Sequence, residues 1–201
     1  MTRGLRWRIF VLQVGLLGIF AFCAGFLFWG NSFVHGMVRD ELVAQRISFP
    51  AAGSPSFSAA EYPTLQQYAG QVVDNGAKAQ AYANDYIGHH LQGIAGGRTY
   101  SQVSAAFLAG GGKDAALGAQ RQSLFMGETL RGLLLNAYGW WQVGQYALYA
   151  AIGLTVAAIA VFLALMFEVV LLWRRQAAVR SQRSRSSSAS TAAATASVSS
   201  R

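Results

Sequence analysis

Cysteine is nearly absent from this chain: Cys23 is the only one in 201 residues, so no disulfide can close within one chain. It sits inside an apolar run and reads as a small core-type residue. Proline is as scarce, and Pro50, Pro55 and Pro63 fall in one short stretch, which leaves the chain on either side free to remain helical. Acidic residues number 8 against 16 basic ones. The motifs of common hydrolases are missing too. No H-E-x-x-H, matched Cys/His set or G-x-S-x-G occurs, which removes the usual zinc and nucleophilic-serine chemistries. Gly110-Gly111-Gly112-Lys113-Asp114 only faintly resembles a phosphate loop, because the first motif glycine would fall at Phe107 and Asp114 stands where a hydroxyl is needed. The expectation is a chain without enzymatic activity, metal or cofactor.

What the chain has in excess is apolar sequence in two blocks. Ile9 to Trp29 carries no formal charge, with Gln13 its one strongly polar residue, and a second block runs from Ala147 to Trp173. Each supplies the roughly 20 apolar residues that a helix needs to cross a bilayer. Backbone groups find no water in lipid, so a helix is the form expected. The first block is long for a signal-peptide core and no clean small-x-small site follows it, so an uncleaved anchor is expected. Arg3, Arg6 and Arg8 precede the first block, and Arg174, Arg175, Arg180, Arg183, Arg185 and Arg201 follow the second. Residues 30–146 hold seven basic and seven acidic side chains, so the nine terminal arginines less Glu168 account for the whole net charge of +8. The positive-inside rule then keeps both ends cytoplasmic and puts 30–146 outside. Trp7 and Trp173 suit the inner interface; Trp29, Tyr138, Trp140, Trp141 and Tyr146 suit the outer one. The basic excess faces anionic headgroups at the chain ends, which argues against nucleic acid as a partner.

Organisation follows: a basic N-terminus (1–8), a first transmembrane helix (9–29), an extracytoplasmic helical domain (30–146), a second transmembrane helix (147–173) and a basic tail (174–201) rich in Ser and Ala. The first helix is expected to continue outward over Asn31 to Ile47, and Phe49 to Tyr62 to form a loop. Apolar residues at helical spacing predict a helix from Thr64 to Ile94, supported by an Asp74–Lys78 i,i+4 pair and stopped by Gly96-Gly97. Thr99-x-x-Gln102 predicts a capping box for a short helix that the Gly110–Gly112 run ends. Asp114 then caps a last helix that runs into the second span. The fold class is an all-α membrane protein with two transmembrane helices, an extracytoplasmic antiparallel helical bundle and, from Ser181 on, a disordered tail.

Candidate functional residues are few. Glu128-Thr129-Leu130-Arg131 and the following Asn136, Tyr138, Trp140 and Trp141 mix charge and aromatic rings just above the outer interface. They are candidates for contact with a protein partner or lipid headgroups, and Glu128–Arg131 also reads as a structural pair. Asp85 and His89, at i,i+4, share a helix face, whereas the adjacent His89 and His90 point about 100° apart. Two ligands do not make a metal site, so Asp85, His89, His90 and Arg121 are kept as a polar site a ligand sensor would use. His35, close to the first span, is a candidate pH-responsive group. Glu168, the one carboxylate near a span, is expected to pair with Arg174, Arg175 or an N-terminal arginine. Ala21-x-x-x-Gly25, Gly153-x-x-x-Ala157 and Ala160-x-x-x-Ala164 offer small-residue faces for helix packing or homo-oligomerisation.

Glu41–Gln45, Ala83–Ile87, Thr99–Ser104 and Leu124–Tyr138 together resemble an uncharacterised family of actinobacterial two-span membrane proteins. The resemblance runs from the first span through the second but not into the tail, and it implies topology and no catalytic residue; the 14 Arg against two Lys and the abundant Ala suggest a bacterial plasma membrane. The order span, helical segment, span is also similar to the sensing half of a bacterial receptor, but only a short tail follows the second span. The expected role is an accessory or scaffolding subunit of an envelope complex with a membrane or envelope protein as partner; the alternative is a ligand-sensing subunit that signals through a partner.

Overall fold

The computed structural model describes the backbone of residues 3–199 and the side chains of residues 4–174. Its long elements are all helical, with one isolated antiparallel bridge between Ser48 and Val72. Helix α1 spans Arg3–Ala44, α2 Gly76–Ala81, α3 Gly88–Ala95, α4 Tyr100–Ala109 and α5 Ala115–Ser199. A π-helical segment, Tyr82–Ile87, joins α2 to α3 without a break. The chain divides into two compact units, residues 26–150 and residues 1–25 with 151–201.

Within residues 26–150 one apolar cluster forms the core. It takes Val38 and Leu42 from α1, Ala79 to Ala95 from the α2–π–α3 run, Val103 from α4, and Leu124 and Leu134 from α5. A third of its buried residues (Phe49, Phe57, Tyr62, Leu65 and Val73) come from the irregular segment between α1 and α2. That segment is therefore a packed wall of the core. Phe57 stacks on Tyr62 at 5.4 Å and meets Tyr86 edge-on at 5.8 Å. No polar or charged residue is buried among the described residues.

The helix expected from Thr64 begins only at Gly76. A short 3₁₀ turn does form over Gln66–Tyr68, capped by Leu65, but Gly70 then takes φ +69° and the chain becomes extended. Val73 N–H donates to Ile47 O and Phe49 N–H to Gln71 O, so this stretch spends its backbone groups on the chain after α1. Asn75, in extended conformation, caps α2 by accepting from Lys78 N–H. Asp74 and Lys78 do pair at 3.0 Å, but Asp74 lies before the cap and not on the helix.

Other termini form as read. Gly96 ends α3 in the left-handed region with φ +59°, where a Cβ is costly. Thr99 and Gln102 make the reciprocal capping box of α4. Asp114 Oδ1 accepts from Ala116 and Leu117 N–H at 2.9 and 3.0 Å. Where irregular chain is expected from Ser181, the described backbone stays helical to Ser199; no Gly or Pro interrupts the sequence after Gly153, and Ala is the strongest helix former.

Helices α1 and α5 are each long and apolar enough to cross a membrane, with only 6% of each most apolar window buried. A core helix would be largely covered. Ala24 of α1 and Ala151 of α5 are buried, and Gln13 Nε2 donates to Glu168 Oε1 at 3.4 Å. Glu168 is therefore partnered by the Gln13 amide of α1 and not by a described arginine. Of the small residues expected to pack, Ala21, Gly25, Gly153, Ala160 and Ala164 are exposed and Ala157 is half-buried.

Candidate functional site

Arg131 organises the contact between α5 and the π segment. Its Nε donates to Ala83 O at 3.0 Å, Nη2 reaches Asn84 Oδ1 at 3.3 Å, and Nη1 holds both Glu128 oxygens at 3.1 and 2.9 Å. The π turn makes this possible. Ala83 O accepts from Gly88 N–H, five residues on, and the widened turn leaves the carbonyl open to a second donor. The expected Glu128–Arg131 pair is thus present, but its arginine is turned into the domain as a clamp.

A second junction ties α1 to α5. The His35 ring stacks on Trp141 at 3.9 Å with the planes 10° apart. His35 Nε2 lies 3.1 Å from Trp141 O; a carbonyl only accepts, so Nε2 carries the proton. Nδ1 is then free to accept from Asn31 Nδ2 at 3.4 Å, and the same amide donates to Gly144 O at 2.8 Å. The close approach needs glycine: a Cβ at Gly144 would lie 2.7 Å from the His35 ring, and one at Gly76 would collide with Trp141. Trp141, a candidate for outward contact by its sequence position, is half-buried against α1. Asn31 and His35, two polar side chains at i,i+4 on α1, are the trace of this junction in the sequence.

The candidate contact residues from Glu128 to Trp141 therefore divide between two faces. Arg131 and Trp141 face inward, and the Tyr138 hydroxyl accepts from Gln142 Nε2 at 2.8 Å. Asn136 and Trp140 face outward, Trp140 52% exposed. They border a shallow groove of about 270 Å³ between α1 and α5, lined also by Met37, Glu41, Gln45 and Leu133.

Asp85 and His89 do share one site, a polar recess of about 270 Å³ completed by Glu61, Tyr62, Asn84 and Gln92. His89 Nε2 lies 3.0 Å from Glu61 Oε1, a partner 28 residues away that spacing does not reveal. Burial first, and then the Glu61 carboxylate, push the Tyr62 hydroxyl above its ordinary pKa, so the phenol stays protonated. His90 and Arg121 lie elsewhere. His90 stacks on Tyr86 at 6.3 Å, and the Arg121 guanidinium sits 5.4 Å over the Phe107 ring. Among the described residues no three His, Cys, Asp or Glu side chains are grouped to hold a metal ion. The arrangement suits hydrogen bonding to a small polar or cationic ligand. No protein-family model, curated protein or solved structure matches this chain.

Proposed function

We propose that this chain is a two-span protein of a bacterial plasma membrane, with both ends cytoplasmic and residues 30–146 outside as a helical domain. Its role is that of a non-enzymatic accessory or scaffolding subunit of an envelope complex. One observation carries this reading. The core of residues 26–150 has no buried polar residue, while the outer face of α5 leaves Met126, Leu133 and Trp140 between 52% and 61% exposed. An apolar face outside the lipid marks a protein contact. Met126 precedes Ala147 by 21 residues, or about 31 Å of helix at 1.5 Å per residue, too far from the bilayer for acyl chains to cover it. Affinity purification of the tagged chain from its native membrane in mild detergent tests the role. A second protein recovered in stoichiometric amount is expected; recovery of this chain alone would discard the scaffold reading.

A ligand-sensing subunit is the second reading, favoured by the recess at Glu61, Asp85 and His89, whose lining holds two carboxylates and no basic residue apart from the histidine. Small organic amines at millimolar concentration should then raise the melting temperature, and Asp85→Asn should abolish the rise. No shift with any amine would end this reading.

A further inference from the structure

We infer that α5 pairs, parallel and in register, with α5 of a second copy of this chain. The inference rests on the two-span placement above and names one partner of its exposed face. Phe125, Thr129, Gly132, Asn136, Gly139 and Val143 are all exposed. Their spacing alternates four and three residues, the 3.5-residue repeat of a two-stranded coiled coil. Met126, Leu133 and Trp140 run alongside and add apolar surface.

Three features point to a second copy as occupant. The first is charge. Two copies inserted the same way in one membrane run parallel, so along a symmetric seam each side chain meets its own counterpart. A charge there would repel itself. No residue of the seam itself is charged; the nearest charged groups on α5, Glu128 and Arg131, are paired with each other at 2.9 Å, and Glu41 of α1 stands at the border, in the groove beside Asn136 and Trp140.

The second feature is glycine. Gly76, Gly127 and Gly144 are explained within the chain, because a Cβ at each would run into Trp141, Leu91 or His35. Gly132 and Gly139 have no such reason, since a Cβ at either meets nothing within 4 Å. In mid-helix each weakens the helix relative to alanine. Glycines one heptad apart on the outer face admit the close approach of another backbone.

The third feature is Asn136, the one side-chain amide on the seam. With Thr129 and Val143 it occupies the position at which a single asparagine sets register and selects two parallel strands, by hydrogen bonding to its own copy.

Cysteine scanning of the full chain in its own membrane tests the pairing. Cys23→Ser removes the native thiol, and single cysteines then replace each residue from Phe125 to Val143. Oxidation should give disulfide-linked dimers that peak at 125, 129, 132, 136, 139 and 143 and fall at least several-fold at 128. Uniform crosslinking, or none, overturns the pairing. Asn136→Asp should lower co-purification of two differently tagged copies at least several-fold at neutral pH, and Gly132→Leu should do the same while leaving the melting temperature within a few degrees. Unchanged co-purification in both variants overturns it as well. Self-crosslinking with no second protein recovered would support the pairing and remove the scaffold role; a second protein recovered without self-crosslinking would do the reverse. Reporter fusions at Gly53, Gly111 and Arg201 check the shared topology independently: a cytoplasmic signal at Gly53 or Gly111 removes the membrane premise.

Discussion

Gly144 and Arg131 carry the most specific interactions in the domain. Gly144→Ala would set a methyl group 2.7 Å from the His35 ring, which cannot yield without leaving its stack on Trp141. A loss of about 1–3 kcal/mol, the usual cost of overpacking, is expected in chemical unfolding followed by tryptophan fluorescence. Arg131→Ala would strip the second donor from Ala83 O and leave Glu128 unpaired. Hydrogen bonds to charged groups contribute about 1.5–3 kcal/mol, so a comparable destabilisation should appear, and amide exchange should quicken first around Asn84. Two tyrosines set an alkaline limit. Burial raises the pKa of both Tyr62 and Tyr82, with help from Glu61 at the first and Tyr86 at the second. A group with a raised folded pKa adds stability that is intact below its unfolded value, about 10, and lost as pH climbs through the folded value. Melting temperature should therefore fall above pH 10, and Tyr82→Phe should flatten that fall. An unchanged slope in the variant would show that other groups govern it.

At the scale of elements, short-range signals and long-range pairing part company. The Thr99/Gln102 box, the Asp114 cap and the Gly96 stop were legible because each spends its hydrogen bonds within a few residues. Thr99→Ala should cost about 1 kcal/mol, visible as faster amide exchange in the first turn of α4 before the rest of the domain responds. The start of α2 was not legible. Leu65, Tyr68 and Val72 repeat at helical spacing, yet Val73 and Phe49 find backbone partners across the chain, and that pairing outweighs local periodicity. The π segment was hidden for the same reason. No residue in Tyr82–Ile87 demands a wider turn, and the Arg131 side chain that uses its open carbonyl lies 48 residues on.

For the molecule as a whole, two blocks of apolar residues and a charge imbalance confined to the ends outweigh every individual motif. Composition, helix caps and the two long apolar segments follow from the sequence alone, because they depend on totals and on neighbours within one or two turns. So does the neutrality of residues 30–146. Tertiary structure decided which way each candidate side chain faces. It turned Arg131 and Trp141 inward and left Asn136 and Trp140 outside. It brought Glu61 to His89 and Gln13 to Glu168, and it made a packed wall of the segment between α1 and α2. The physical reason is one of range. Helix formation and membrane partition are settled residue by residue along the chain, whereas a site is settled by contacts between segments far apart in it, which only packing brings together.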